Sequence, residues 1–286
     1  NLLLLIMFCL IATIGAKATA TRSGSTLTTT SAGDVKAYFD ANKNILTETT
    51  LTSLEIVGPM NSDDINAIDA LPYLTSLDLS SATIVNWDMV FPTNGNNSYN
   101  NGTNYLKQNL ETIKFPKTSV TEIPSYCMKE YNIKKVTIPV GYKKIGEWAF
   151  GNCTKLQLIK IPEGVTEICA NAFNHAAIQS VRLPNSLTKI GASAFVDCFS
   201  LTSVTIPANV TEIGSSAFNN CKSLKDIYVL NTTQAPTLGS DAFDIMMMHC
   251  NGGGYPYTND DYSKLTDEQK KAISVNRDTY WTGASK

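Results

Sequence analysis

Two carboxylates and two histidines are the first side chains to weigh, because acid–base and nucleophilic chemistry needs such groups held close together. Glu55 and Asp78 occupy the same place in two successive phrases, "LTSLEI" and "LTSLDL". On adjacent strands they would stand about 5 Å apart, the separation that in a retaining glycosidase marks a nucleophile and an acid. Any stacked pair of strands produces that separation, and no cleft or aromatic sugar platform is written around it. The chain has only two histidines, His175 and His249, which leaves little material for a Ser-His-Asp or Cys-His mechanism. His175 reads as a surface turn residue. His249 and Cys250 lack a second Cys or His at ligand spacing and make a poor zinc site. Asp63 and Asp64 lack calcium-ligand spacing, and "NGGGY" from Asn251 lacks the lysine of a phosphate loop. The chain therefore reads as non-catalytic, with no cofactor and no metal site.

What positions these residues is a repeat. "LQLIKIPEGVTEICANAFNHA" (from Leu156) and "LTSVTIPANVTEIGSSAFNNC" (from Leu201) agree at ten of 21 positions. An L-x-x-V-x-I pattern begins at Leu51, Leu74, Leu110, Ile133, Leu156, Ile178, Leu201 and Leu224, at intervals of 23, 36, 23, 23, 22, 23 and 23 residues. The long interval contains an Asn/Gly-rich stretch, residues 91–104, which reads as a loop inserted into an otherwise constant register. Apolar residues at positions 1, 4 and 6 of each copy give strand spacing with one face inward. Proline follows position 6 at Pro116, Pro139, Pro162, Pro184 and Pro207; it has no N–H, so strand pairing must stop there. The second half of the unit turns Val210, Ile213, Ala217 and Phe218 back inward. One coil buries little alone, whereas eight stacked coils share a continuous core about 35–40 Å long. Phe150, Phe173, Phe195, Phe218 and Phe243 should form a buried column, with Met128 in the same role one coil earlier.

The unit resembles the BspA-like bacterial leucine-rich repeat, whose pattern ends in I-G, A-F, C and L, as in Ile190-Gly191, Ala194-Phe195, Cys198 and Leu201. The first two copies lack the proline and are closer to the general leucine-rich consensus. The resemblance implies an α/β leucine-rich-repeat solenoid: a right-handed, curved stack of parallel strands, mostly β with little helix. It also implies an exported or surface protein of host-associated bacteria, linked to adhesion and protein binding rather than to one conserved ligand.

The flanks are read separately. Residues 1–20 hold an apolar run from Leu2 to Ile14 and end in Ala18-Thr19-Ala20, a signal peptide cleaved after Ala20 that directs the chain to secretion or the cell surface. The run is shorter than the ~20 residues a bilayer span needs, so no membrane span is expected in the mature chain. Residues 21–33, rich in Ser, Thr and Gly, read as a flexible linker. Residues 34–50 read as a helical N-terminal cap with Asp34 placed to cap its helix, residues 51–230 as the solenoid, and residues 231–286 as a C-terminal cap and tail. In that tail Thr266 and Gln269 suggest a capped helix, and Tyr280 and Trp281 could cover the last rung. The formal net charge is −2 from 23 basic and 25 acidic residues; cleavage removes Lys17 alone, and nothing in the balance points to nucleic acid.

Seven cysteines include Cys9 in the leader. Cys153, Cys198 and Cys221 recur at one position of the unit, where a buried thiol acts as a small apolar residue. Only Cys198 and Cys221 lie on neighbouring coils at a distance a bridge accepts, so both a disulfide and reduced thiols are open readings. Glu122, Lys144, Glu167, Lys189 and Glu212 alternate in sign at one position of successive coils, which reads as a structural charge column. On the outward strand face, Lys114, Lys135, Lys160 and Arg182 form a basic patch at mid-solenoid, with Tyr228 further along as the one aromatic. The patch either receives an acidic protein surface or an anionic glycan, or is a solvated face that needs charge. The function read from these residues is recognition of a host or neighbouring-cell protein, in adhesion or protein binding. The alternative is a carbohydrate-binding accessory of a surface glycan-uptake system, which aromatics aligned on an exposed face would favour.

Overall fold

The computed structural model describes residues 20–85, 104–116, 121–230 and 236–243. The leader, nearly all of the inserted loop, and the tail with His249, Cys250, Thr266, Gln269, Tyr280 and Trp281 lie outside the described residues. Two short strands open the chain, β1 (Thr21–Ser23) and β2 (Thr26–Thr28), followed by helix α1 (Asp34–Ala41) and a 3-10 turn at Lys43–Thr47. Then come β3 (Ser53–Met60), α2 (Ser62–Ile68), β4 (Ser76–Ile84) and α3 (Tyr105–Asn109). Each later coil adds a strand of three or four residues and one of two: β5 (Thr112–Lys114) and β6 (Glu122–Ile123), β7 (Lys135–Thr137) and β8 (Lys144–Ile145), β9 (Leu158–Lys160) and β10 (Glu167–Ile168). The series ends with β11 (Ser180–Arg182), β12 (Lys189–Ile190), β13 (Ser203–Ile206), β14 (Glu212–Ile213), β15 (Asp226–Val229) and β16 (Thr237–Leu238).

The architecture is a leucine-rich-repeat solenoid of parallel strands with little helix. The first strand of each coil stacks in the order β3-β4-β5-β7-β9 and, after a break in pairing, β11-β13-β15, while the second strands form a parallel sheet from β6 to β16. Register follows the repeat: Leu54, Leu77, Ile113, Val136 and Ile159 are successive partners, as are Val181, Val204 and Ile227. Proline goes with short strands in the middle of the stack, although β15, which lacks it, also runs for only four residues. The two early copies without it run for eight and nine residues, whereas four of the five with it stop after three. A third ladder ties the turns together: the N–H groups of Trp148, Phe150 and Asn152 donate to the carbonyls of Ala170, Ala172 and Asn174 on the next coil, at 2.7–3.1 Å.

The core is the column read from the repeat. Phe150, Phe173, Phe195, Phe218 and Phe243 stack with ring centroids 5.1–5.5 Å apart, and Phe115 meets Phe150 edge-on at the head of the column. Met128 is fully buried in the coil before Phe150. Cys153, Cys198 and Cys221 are free thiols, so no bridge joins the last two. Each donates its S–H to a carbonyl of the coil before: Cys153 to Met128, Cys198 to Phe173 and Cys221 to Phe195, at 3.1–3.2 Å.

Three readings change at the ends. Residues 21–33 are not a flexible linker, since β1 and β2 form an antiparallel hairpin and β2 pairs in parallel with β3. Leu27 is fully buried and Arg22 grips Glu48 through two bonds of 2.6 and 2.8 Å. A polar composition predicts a linker only where no open sheet edge offers backbone partners; here the edge of β3 does. Asp34 does not cap α1. Its carboxylate accepts from Thr30 and Ser31 upstream, while buried Asp64 takes the N–H groups of Gly33 and Lys36 and closes a capping box with Asn61. At the other end the repeat continues past residue 230, because β16 pairs with β14 and Phe243 extends the aromatic column.

Candidate functional site

The outward positions of the strand face differ from rung to rung, and the stack decides which charges meet. At the N-terminal end Glu55, Asp78 and Lys114 are successive partners. Lys114 Nζ sits 2.5 Å from Asp78 Oδ2, and Ser80 donates to Asp78 through its N–H and hydroxyl. Partial burial works to raise the Asp78 carboxyl, but the Lys114 ion pair and the Ser80 donors outweigh it and hold the group below its usual range. That is the opposite of what a general acid requires. Thr26 from the hairpin donates to Glu55. The pair of carboxylates thus belongs to a small ionic cluster, and Lys114 belongs with it rather than with the basic patch expected at mid-solenoid.

The remaining basic residues are brought together. Lys135 on β7 is the register partner of Leu158 on β9, Lys160 follows on β9, and Arg182 stands on β11, the next rung. Lys135, Lys160 and Arg182 are exposed, and none has a carboxylate within 4.0 Å among the described residues. Leu158 lies among them with 53% of its surface exposed, an apolar residue on the solvent face of the sheet. Tyr228 pairs with Thr205 on β13 and is half-buried; it stands two rungs from Arg182, roughly 10 Å along the stack, and is not part of the basic group.

The charge column is present on the second sheet, with Glu122, Lys144, Glu167, Lys189 and Glu212 as successive partners. Its ion pairs are loose, from 3.1 Å for Lys189–Glu212 to 3.9 Å for Lys144–Glu167, so it guides register more than it stabilises. Half-buried Cys169 interrupts a column of glycines there, and burial pushes its thiol up to about 11. No group of three or more His, Cys, Asp or Glu suited to a metal ion occurs among the described residues, and none of their helices is long and apolar enough to cross a membrane.

A second surface group, exposed at Tyr126 and half-buried at Trp148 and Lys129, was not anticipated. Tyr126 and Trp148 hold one position of successive coils on the turn edge, and Lys129 Nζ lies over both rings, 5.8 and 4.8 Å from their centroids. The signal was available in the repeat: the same position carries Asn171, Ser193, Ser216 and Asp241 in later coils. On the same edge His175 Nδ1 lies 3.2 Å from Asp197 and its ring meets exposed Phe199 edge-on.

A family model described as the BspA type leucine rich repeat region matches residues 87–198 and 121–247, in six copies. Among solved structures, a leucine-rich repeat protein of T. pallidum is 23% identical with a TM-score of 0.37, covering 51% of this chain and 86% of its own. A leucine-rich cell surface protein of Faecalibacterium prausnitzii is 17% identical with a TM-score of 0.37, covering 80% and 72%. The pneumococcal vaccine antigen PcpA is 19% identical with a TM-score of 0.38, covering 69% and 55%. A search of curated proteins finds no match.

Proposed function

Because the chain belongs to the BspA-type leucine-rich repeat family, we propose that it is a non-catalytic recognition protein, exported or displayed at the cell surface, that binds a protein partner through its strand face. The observation that carries this reading is exposed Leu158 with Lys135 as its register partner, exposed Lys160 two residues on along β9 and exposed Arg182 on the next rung. Covering a leucine side chain contributes about 1.5–3 kcal/mol, enough to anchor an interface. Three cations without close carboxylates steer an oppositely charged surface and select it over neutral ones. The partner that fits is a host or neighbouring-cell protein presenting an apolar side chain among carboxylates.

Capture from host extracellular material tests the reading. The triple variant Lys135→Glu, Lys160→Glu, Arg182→Glu and the single variant Leu158→Asp should each lose the partners that the wild-type chain retains, while Lys222→Glu on the turn edge keeps them. Equal capture by all four proteins removes the strand face from consideration.

A further inference from the structure

We propose a second binding site on the turn edge, formed by Tyr126, Lys129 and Trp148 and suited to a sugar that carries a carboxylate. It is independent of the strand-face reading. The fold places two positions of the coil in the left-handed region on this edge, and at the first of them Tyr126, Trp148, Asn171, Ser193, Ser216 and Asp241 have φ between 54° and 61°. Such backbone costs an ordinary residue on the order of 1 kcal/mol and is tolerated best by Asn, Asp and Gly. Later coils comply with small polar residues. Two adjacent coils instead carry large aromatic side chains, and Tyr126 remains 42% exposed, so core burial does not repay its strain.

The surroundings orient these rings. Position 151 is Gly where the neighbouring coils have Lys129 and Asn174, and a Cβ added there would come within 2.4 Å of the Trp148 ring. The missing side chain is what lets the indole lie against the backbone. Lys129 reaches both rings, and its ammonium keeps only a long ion pair with Glu130, 3.7 Å away, whose tighter partner is Lys107 at 2.7 Å. Two rings beside a cation that lacks a tight anionic partner match a ligand with an apolar C–H face and one negative charge on the same ring. Exposed Glu147 and Glu130 stand beside Trp148 and Lys129 in the chain and repel any anion, a multiply charged phosphate or sulfate more than a single carboxylate. Uronic acids and sialic acids share the required chemistry.

The test titrates the secreted chain with trigalacturonic acid and with 3′-sialyllactose, using the methyl ester of the first and lactose as neutral controls, followed by calorimetry and tryptophan fluorescence. We expect one acidic sugar to bind at least ~10-fold more tightly than its neutral control, and Lys129→Gln to weaken it by a similar factor. Trp148→Ala should abolish binding and the fluorescence change. Tyr126→Ala, at an exposed turn position, guards against a misfolded Trp148 variant and should also weaken binding. The strand-face triple variant should bind the sugar as wild type does. Absence of binding by both acidic sugars at millimolar concentration, unchanged binding in Lys129→Gln and Tyr126→Ala, or loss of binding in the strand-face variant would each overturn the proposal.

Discussion

At the scale of single residues, the cysteines show how one repeated letter is used. Each thiol of Cys153, Cys198 and Cys221 is buried and donates to a carbonyl of the preceding coil, so it must stay protonated to do its work. Burial pushes Cys153 and Cys221 from 9.0 up to about 12 and raises Cys198 in the same direction. The unfolded chain therefore releases these protons first. Their contribution to stability is complete below pH 9 and declines as pH rises from 9 toward 12. Denaturant midpoints under reducing conditions should fall between pH 8 and pH 10.5, and fall less in a Cys153→Ala, Cys221→Ala variant. Asp64 is the opposite case, a carboxylate whose burial is satisfied by N–H groups from α1 and its own capping box. Asp64→Ala should cost about 2–3 kcal/mol in equilibrium unfolding, because it strands buried donors at two helices. The role of the cysteines was legible from their recurrence. That of Asp64 was not, because its partners in α1 lie some thirty positions upstream.

At the scale of the element, a coil holds its place by a buried aromatic and by close backbone approach. Phe195 lies in the stacked column between Phe173 and Phe218, and Phe195→Ala should lower unfolding free energy by about 3–5 kcal/mol. Gly191 sits where a Cβ would come within 2.6 Å of the backbone of Cys169 and Ala170. Cys169 fills the equivalent place one coil earlier, so the spacing opens when it must. Gly191→Ala should accordingly fold but lose about 1–3 kcal/mol by the same measurement. Strand positions, proline stops and the phenylalanine column could all be read from the sequence because they recur. The hairpin of β1 and β2 could not, since Thr-Leu-Thr gains its meaning only from the open edge of β3 beside it.

At the scale of the whole molecule, a solenoid has two ends and each must be covered. The hairpin covers the first, placing Leu27 in the core and β2 along β3. Removing residues 21–28 would expose that edge together with Leu54 and Ile56 beneath it. The truncated chain should self-associate in light scattering and melt earlier, and an unchanged monomer with unchanged melting would contradict this role. The strand face also belongs to this scale, since a stack of rungs presents side chains from distant parts of the chain as one surface.

The repeat by itself determined the class of fold, the inward residues and the alternating charge column, because each coil contacts chiefly its neighbours and a local pattern is copied into a global one; where the stack begins and ends it did not determine. It also brought Lys135, Leu158, Lys160 and Arg182 to one face. Tertiary structure alone decided which cations remain available. Lys114 closes on Asp78 at 2.5 Å, and Lys129 reaches across a coil to Trp148. Position in the repeat places a Cα, but the reach of a long side chain and the charge it meets are properties of the stacked coils.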